Sequence, residues 1–193
     1  ARLNGLRLKR ACALVGREWV REYYRAGSLE VRDIFTGQAL RRPDRPNLGN
    51  RFSATLLRCP VEARREQYLS LAVPVLDAGL NVLFLLPDHG VTEEYFHPFL
   101  RQRLGEKVLL YGSQVSPKGR GEVYFRVSRQ GGYLVVGTRS CLFLPVHKAG
   151  LIIVERPEDE GYLNDEALQF NSVTVAAKRA ELEGYEYPAQ RQP

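Results

Sequence analysis

Apolar and polar positions alternate along this chain in two different rhythms, and the change of rhythm marks its organisation. From Leu6 to Arg25, apolar residues at Leu6, Leu8, Cys12, Leu14, Val15, Trp19, Val20 and Tyr23 recur partly at i, i+3, i+4 spacing with arginines between them. That spacing predicts a helix, with Gly16 as a point of division into two shorter ones and Gly27 as the stop. Ser28 to Phe35 then alternates polar and apolar, the pattern of a half-buried strand. Arg41 to Asn50, with two prolines and a glycine, reads as a linker.

Beyond the linker the rhythm becomes strand, helix, strand. Strands are expected at Ala54–Leu57, Val82–Leu86, Val108–Tyr111, Tyr133–Gly137 and Leu151–Val154. Helices are expected at Glu62–Ala78, kinked or shortened by Pro74, at Thr92–Leu104, ended by Gly105, at Gly121–Arg129 and at Leu168–Leu182. Short β-runs with almost no polar residue are strands buried on both faces. The implied fold is α/β, a mostly parallel sheet with helices on both sides.

Composition narrows the classes. The chain has 193 residues, 44% hydrophobic and 26% charged, enough apolar material for a core and too little charge for wholesale disorder. Its longest apolar run, Val82 to Pro87, falls far short of the ~18 residues a membrane span needs. No signal-peptide pattern opens the chain, so membrane and secreted classes are set aside in favour of the cytoplasm. Cys12, Cys59 and Cys141 are far apart, which suggests neither zinc nor a disulfide framework. The chain opens at Ala1 and has no methionine, as an excised piece of a larger protein would.

Charge is uneven. Residues 1–58 hold 13 Lys/Arg against 5 Asp/Glu, while the remainder holds 15 against 17. A compact basic segment beside a near-neutral domain suits a polyanion, because each neutralised phosphate releases counterions. A solvated basic surface is the plainer alternative. Three histidines, His89, His97 and His147, stand singly without a catalytic partner visible in sequence, and the acidic run Glu158-Asp159-Glu160 reads as a solvated loop.

More specific are VLFLLPDHGVT (82–92), VVGTRSCLFLP (135–145), AGLIIVERPEDEGY (149–162) and QFNSVTVAAKRA (169–180). In order and spacing they resemble the first helicase lobe of the bacterial primosomal replication-restart helicases, the PriA family of superfamily 2, from about Leu56 to Ala180. The resemblance implies a RecA-like, P-loop NTPase-type lobe over residues 46–193. It also implies the last part of a winged-helix-like DNA-binding domain over residues 1–45.

The departures concern the nucleotide. Aligned on Tyr68-Leu69, the family's glycine-rich phosphate loop falls on Arg58 to Arg65: its three glycines become Arg58, Val61 and Ala63, its lysine Arg64 and its metal-binding hydroxyl Arg65. A phosphate cradle needs glycines so that backbone N–H groups converge, and a hydroxyl for Mg²⁺. Pro60 removes one N–H and Glu62 adds an anion. The family's acidic box falls on Glu155-Arg156-Pro157-Glu158, so the second, water-activating acid becomes Arg156. Its adenine-binding segment before the first strand has no counterpart. These losses imply a helicase lobe without ATPase activity, with no bound nucleotide, metal or other cofactor and no catalytic residue. Arg64 and Arg65 are expected to face solvent at a helix start, the alternative being weak phosphate contact as point charges.

For DNA, the resemblance implies backbone contacts from Thr92 and from Thr138, Arg139 and Ser140 of the GTRS turn, a turn that packing alone would also explain. In the basic segment, Arg10, Arg17, Arg21 and Arg25 are candidates to line a helix against duplex DNA, with Arg32 on the following strand and Arg41 and Arg42, beside Arg45, in the linker. Trp19, Tyr23 and Tyr24 interleave with them, Trp19 as core. The expected function is recognition of forked, branched or single-stranded DNA by a platform for replisome reloading. By resemblance its partners are other replication-restart proteins and single-stranded DNA-binding protein. An active ATP-dependent 3'-5' helicase or translocase with a diverged loop, and a protein-interaction scaffold without DNA contact, are the alternatives.

Overall fold

A computed structural model describes residues 29–33, 54–58, 60–164 and 170–183. The helix expected over Leu6–Arg25 and the linker Arg41–Asn50 lie outside them, and with them Arg10, Arg17, Arg21, Arg25, Arg41, Arg42, Trp19, Tyr23 and Tyr24. The chain divides into two compact units, Ala1–Arg64 and Arg65–Pro193. In the first, strand β1 (Leu29–Asp33) pairs in parallel with β2 (Ala54–Arg58), Leu29 opposite Ala54 and Asp33 opposite Arg58.

The second unit holds a four-stranded parallel sheet in the order β4-β5-β3-β6. Its strands are β3 (Asn81–Leu85), β4 (Val108–Tyr111), β5 (Leu134–Gly137) and β6 (Ala149–Val154). Every residue of the two central strands β3 and β5 is buried, as their unbroken apolar runs require, whereas β4 and β6 are partly open. Around the sheet lie helices α1 (Val61–Asp77), α2 (Val91–Leu104), α3 (Pro117–Arg129) and α4 (Ser172–Glu183). An α/β sheet flanked by helices is thus present, in an order consistent with a RecA-like core.

One face of β3 meets an aromatic cluster. The Phe84 ring lies 5.3 Å from Tyr68 of α1 and 5.1 Å from Phe96 of α2, both edge-on, and Tyr95 stands edge-on to Phe96 at 5.0 Å. Edge-to-face packing puts the positive ring edge on the negative face of its neighbour, which adds to the burial term. Tyr68 keeps its hydroxyl at the margin of this apolar cluster, where it reaches a carboxylate described below.

Helix boundaries follow local chemistry, and two helix starts differ from the sequence expectation. Helix α1 runs through Pro74 to Asp77 without being shortened there. It closes through Ala78 N–H to Pro74 O and Gly79 N–H to Leu76 O, with Gly79 at φ +74°. Helix α3 starts at Pro117, four residues before the expected Gly121, because Ser116 accepts a hydrogen bond from Gly119 N–H and Pro117 supplies a preset φ with no N–H to satisfy. Helix α4 starts at Ser172 rather than Leu168. Phe170–Asn171 instead forms a short antiparallel strand, β8, with β7 (Leu163–Asn164), and the Asn171 carboxamide oxygen accepts from Val173 N–H at 2.8 Å. Gly105, at φ +58°, ends α2 as expected, its N–H reaching Arg101 O.

Opposite the carboxyl ends of the strands, Asn81 is fully buried and stitches together the loops before β5 and β6. Its Nδ2 donates to Gln130 O and His147 O, and its Oδ1 accepts from Tyr133 N–H. The sheet is pinned there from below, leaving its other rim to carry chemistry.

Candidate functional site

Register decides which loops meet. Leu85 stands opposite both Gly137 and Val154, and Gly137 opposite Tyr111, so four strands end nearly level. The ladder continues one step beyond the strands, with Leu86 N–H on Gly137 O and Glu155 N–H on Leu85 O. The segments Pro87–Gly90, Gly112–Ser116, Thr138–Ser140 and Glu155–Asp159 therefore gather on the carboxyl rim. In open parallel sheets that rim is where ligands bind, because the loops there are free of the ladder.

Two groups of side chains form on it. The first centres on His89, whose Nδ1 lies 3.0 Å from Glu93 Oε2 and whose Nε2 lies 3.0 Å from Thr138 Oγ1. Gln114 Nε2 donates to the same Glu93 oxygen at 2.6 Å. Beside it, a Cβ on Gly112 would come 2.2 Å from His89 Cε1 and 2.3 Å from Gln114 Oε1, so a side chain there would push both from their places. His89, one of three histidines that stand singly in the sequence, thus joins α2 to the turn after β5. His89 and Glu93 are an i, i+4 pair that sequence offers, but Thr138 is 49 residues away and only the sheet brings it in.

The second group occupies the acidic-box positions. Glu155 is 2% exposed and accepts from the Tyr68 hydroxyl at 2.6 Å. Arg156 takes the left-handed backbone conformation, φ +48°, and its guanidinium lies 3.2 Å from Asp88 Oδ2 and 3.3 Å from Asp159 Oδ2. That geometry links the loop after β3 to the loop after β6. Asp159 also accepts from Gly161 N–H, and a Cβ on Gly161 would sit 2.4 Å from Pro87 O, so the two loops touch backbone to backbone. Tyr162, with no exposed surface, bonds Leu85 O and Glu155 O through its hydroxyl, whose pKa burial and the Glu155 charge push well above the usual phenol range. Among the described residues no group of three or more His, Cys, Asp or Glu side chains is arranged to hold a metal ion.

Other predicted positions fall as follows. Thr138 is half-buried at the start of a 3₁₀ turn, Arg139–Phe143, without capping it, and its hydroxyl turns to His89. The Arg139 guanidinium donates to Leu163 O, and Ser140 is exposed. The backbone of Thr92 lies in the first turn of α2. Arg32 lies in β1, Arg58 at the end of β2 and Val61 at the start of α1. Ala63, Arg64 and Arg65 lie in the first turns of α1, which begins only three residues after β2 ends. Arg65 is not simply solvent-facing as expected: its guanidinium lies 4.2 Å from the Tyr95 ring centroid and 5.1 Å from that of Phe99, where the ring quadrupoles attract a cation. Beside it, Arg103 reaches Phe99 at 5.3 Å and Glu66 at 3.0 Å.

Two more groups bear on the rim's electrostatics. His97, one turn beyond Glu93, has its pKa lowered by burial, against the raising influence of Glu93. Cys141 is fully buried against Tyr111 O, and burial followed by the Glu93 charge pushes its thiol far above the usual range, so it stays protonated.

Sequence comparison finds similarity to replication restart proteins. Over 121 residues the chain is 33% identical to the replication restart protein PriA of Synechocystis sp., and over 118 residues it is 30% identical to that of Bacillus subtilis. This chain is a distant, partial homologue of PriA. The PriA of Rickettsia prowazekii is 27% identical over 120 residues. The matched stretches cover 61–62% of this chain but only 14–18% of those PriA proteins, so the chain corresponds to a small part of their length. No family model matches the chain. No helix among the described residues is long and apolar enough to cross a membrane.

Proposed function

We propose that this chain is a DNA-binding part of a PriA-like replication restart protein that does not hydrolyse ATP. It would recognise forked or branched DNA and act as a platform for reloading the replisome, in the cytoplasm. The observation that carries the reading is the fate of the positions that the resemblance matches to the family's nucleotide site. Where a phosphate loop would need an open, glycine-lined turn, β2 and α1 are separated by Cys59 and Pro60 alone. Arg65, at the position of the metal-binding hydroxyl, is committed to Tyr95 and Phe99. Arg156, at the position of the water-activating acid, is committed to Asp88 and Asp159. Phosphoryl transfer depends on metal and positioned charge, and these side chains supply cations already held in other bonds.

The DNA contacts of this reading are Thr92, Thr138, Arg139 and Ser140 on the rim, where hydroxyls and a guanidinium suit phosphate without base selectivity. To them it adds Arg10, Arg17, Arg21, Arg25, Arg32, Arg41 and Arg42 of the basic segment, as the end of a winged helix over residues 1–45. Other restart proteins and single-stranded DNA-binding protein are its protein partners.

The test is nucleotide binding and DNA-stimulated hydrolysis on the purified chain, alongside fork-DNA binding at two salt concentrations. Salt-sensitive DNA binding without nucleotide binding supports the platform. Turnover abolished by Arg64→Ala would overturn it, and DNA affinity indifferent to salt would favour a scaffold without DNA contact.

A further inference from the structure

Thr138 stands in the turn proposed to meet the DNA backbone, yet its only hydroxyl hydrogen has a competing claimant. A neutral imidazole carries one N–H. In the tautomer that lets Nδ1–H donate to Glu93 Oε2, 3.0 Å away, Nε2 is left as an acceptor 3.0 Å from Thr138 Oγ1. The Thr138 O–H then donates to His89 and has nothing to offer a phosphate oxygen. Once His89 is protonated, Nε2–H donates to Thr138 Oγ1, the Thr138 hydrogen is released, and a positive charge stands beside it.

We propose that His89 gates the phosphate-binding capacity of Thr138, so that binding of a nucleic-acid backbone at this rim is coupled to uptake of one proton by His89. The inference rests on the DNA-binding reading above and adds its regulation. The ring is built into place for this: Gly112 lies against Cε1, Glu93 fixes Nδ1, and Gln114 fixes Glu93. Thr138 is also free of the usual duty at its position, since it starts a 3₁₀ turn without capping it.

The other ionisable groups around the ring do not mimic the effect. Glu93, from α2, is an acceptor for both His89 and Gln114. His97, further along α2, is held toward its neutral form by burial, and Cys141, under β5, is held as a thiol. On the ring's own loop Asp88 is paired with Arg156, and after β5 Arg139 is bonded to Leu163 O.

The experiment measures affinity of the full chain for an oligothymidine between pH 8 and pH 5.5, with calorimetry in buffers of different ionisation enthalpy to count protons taken up. We expect affinity to rise by about three- to tenfold on acidification, the worth of one hydrogen bond plus a nearby charge. His89→Ile should lose the pH slope and the proton uptake, and bind more tightly than the parent at pH 8 because the Thr138 hydrogen is freed. Thr138→Val should lose the slope by weakening binding at low pH, Thr138→Ser should keep it, and His97→Gln should leave it in place. A slope and proton uptake unchanged in His89→Ile overturn the gate and leave the DNA reading standing, whereas no salt-sensitive binding at any pH overturns both. Nitrogen-15 spectra of the free protein give a readout without DNA: hydrogen on His89 Nε2 at pH 8 overturns the gate.

Discussion

At the scale of single residues, buried polar groups carry the sharpest consequences, because each is satisfied by partners that cannot turn to water. Asn81 bonds three backbone groups at the amino ends of the strands. Asn81→Leu strands all three, and should cost roughly 2–4 kcal/mol in urea unfolding. Tyr162→Phe removes a single hydroxyl from between Leu85 O and Glu155 O, so a smaller loss of about 1–2 kcal/mol is expected from the same measurement. His97 gives stability a pH dependence with a definite sign. Burial lowers its folded-state pKa from 6.5, so the unfolded chain binds the proton more readily and stability falls as pH drops through and below that value. His97→Gln should flatten that part of a pH series of melting temperatures; an unchanged profile would place the effect elsewhere. Sequence reading singled out Glu155 as an acid kept in kind and Arg156 as an altered position, but what they do depends on Tyr68 and Asp88, far away in sequence, as well as on Asp159 in the same loop.

At the scale of elements, close approach and capping decide stability. Gly137 ends β5 where a Cβ would sit 2.0 Å from Tyr111 O and 2.4 Å from Cys141 Sγ. Backbone on one side and a buried thiol on the other cannot yield, so Gly137→Ala should cost about 3 kcal/mol and broaden the β4–β5 amide signals. Ser116→Ala removes the cap on α3 and should cost about 1 kcal/mol, seen as faster amide exchange in that helix's first turn. The four strands of the parallel sheet were all legible as short apolar runs, and α2 ended at its glycine as read. The misplaced ends share one cause. Periodicity locates the middle of a helix, whereas its start is set by one side chain that captures orphan N–H groups. Ser116 does this ahead of Pro117, and Asn171 does it at the end of a two-residue strand. Ser-Pro is a readable signal for the first; the β7–β8 pairing behind the second is tertiary.

At the scale of the molecule, the chain combines an uneven charge along its sequence with a rim whose arginines Arg139 and Arg156 are already bonded. If the basic segment and the rim both follow a phosphate backbone, log affinity should fall linearly with log salt, with a slope of about −0.7 per contacted phosphate on single strands. Arg139→Ala should reduce that slope by less than one contact's worth while leaving the melting temperature within about 2 °C, since its bond to Leu163 O is exposed. A slope near zero in the parent chain would remove nucleic acid from the account and leave the homology to PriA with a protein partner to explain.

By itself the sequence determined the α/β class, the parallel strands, the uneven charge and the relationship to PriA. These depend on local apolar runs and on motif order, which are linear properties. It also singled out Arg65, Glu155 and Arg156, which the proposed reading places at the nucleotide positions. Only the tertiary structure decided where those residues went: Arg65 onto aromatic rings of α2, Arg156 between two aspartates, Glu155 under a tyrosine hydroxyl. It alone joined His89 to Thr138. The physical reason is register. A parallel sheet brings residues some fifty positions apart to one edge when neighbouring strands end level, and nothing in a local pattern of side chains reports that alignment.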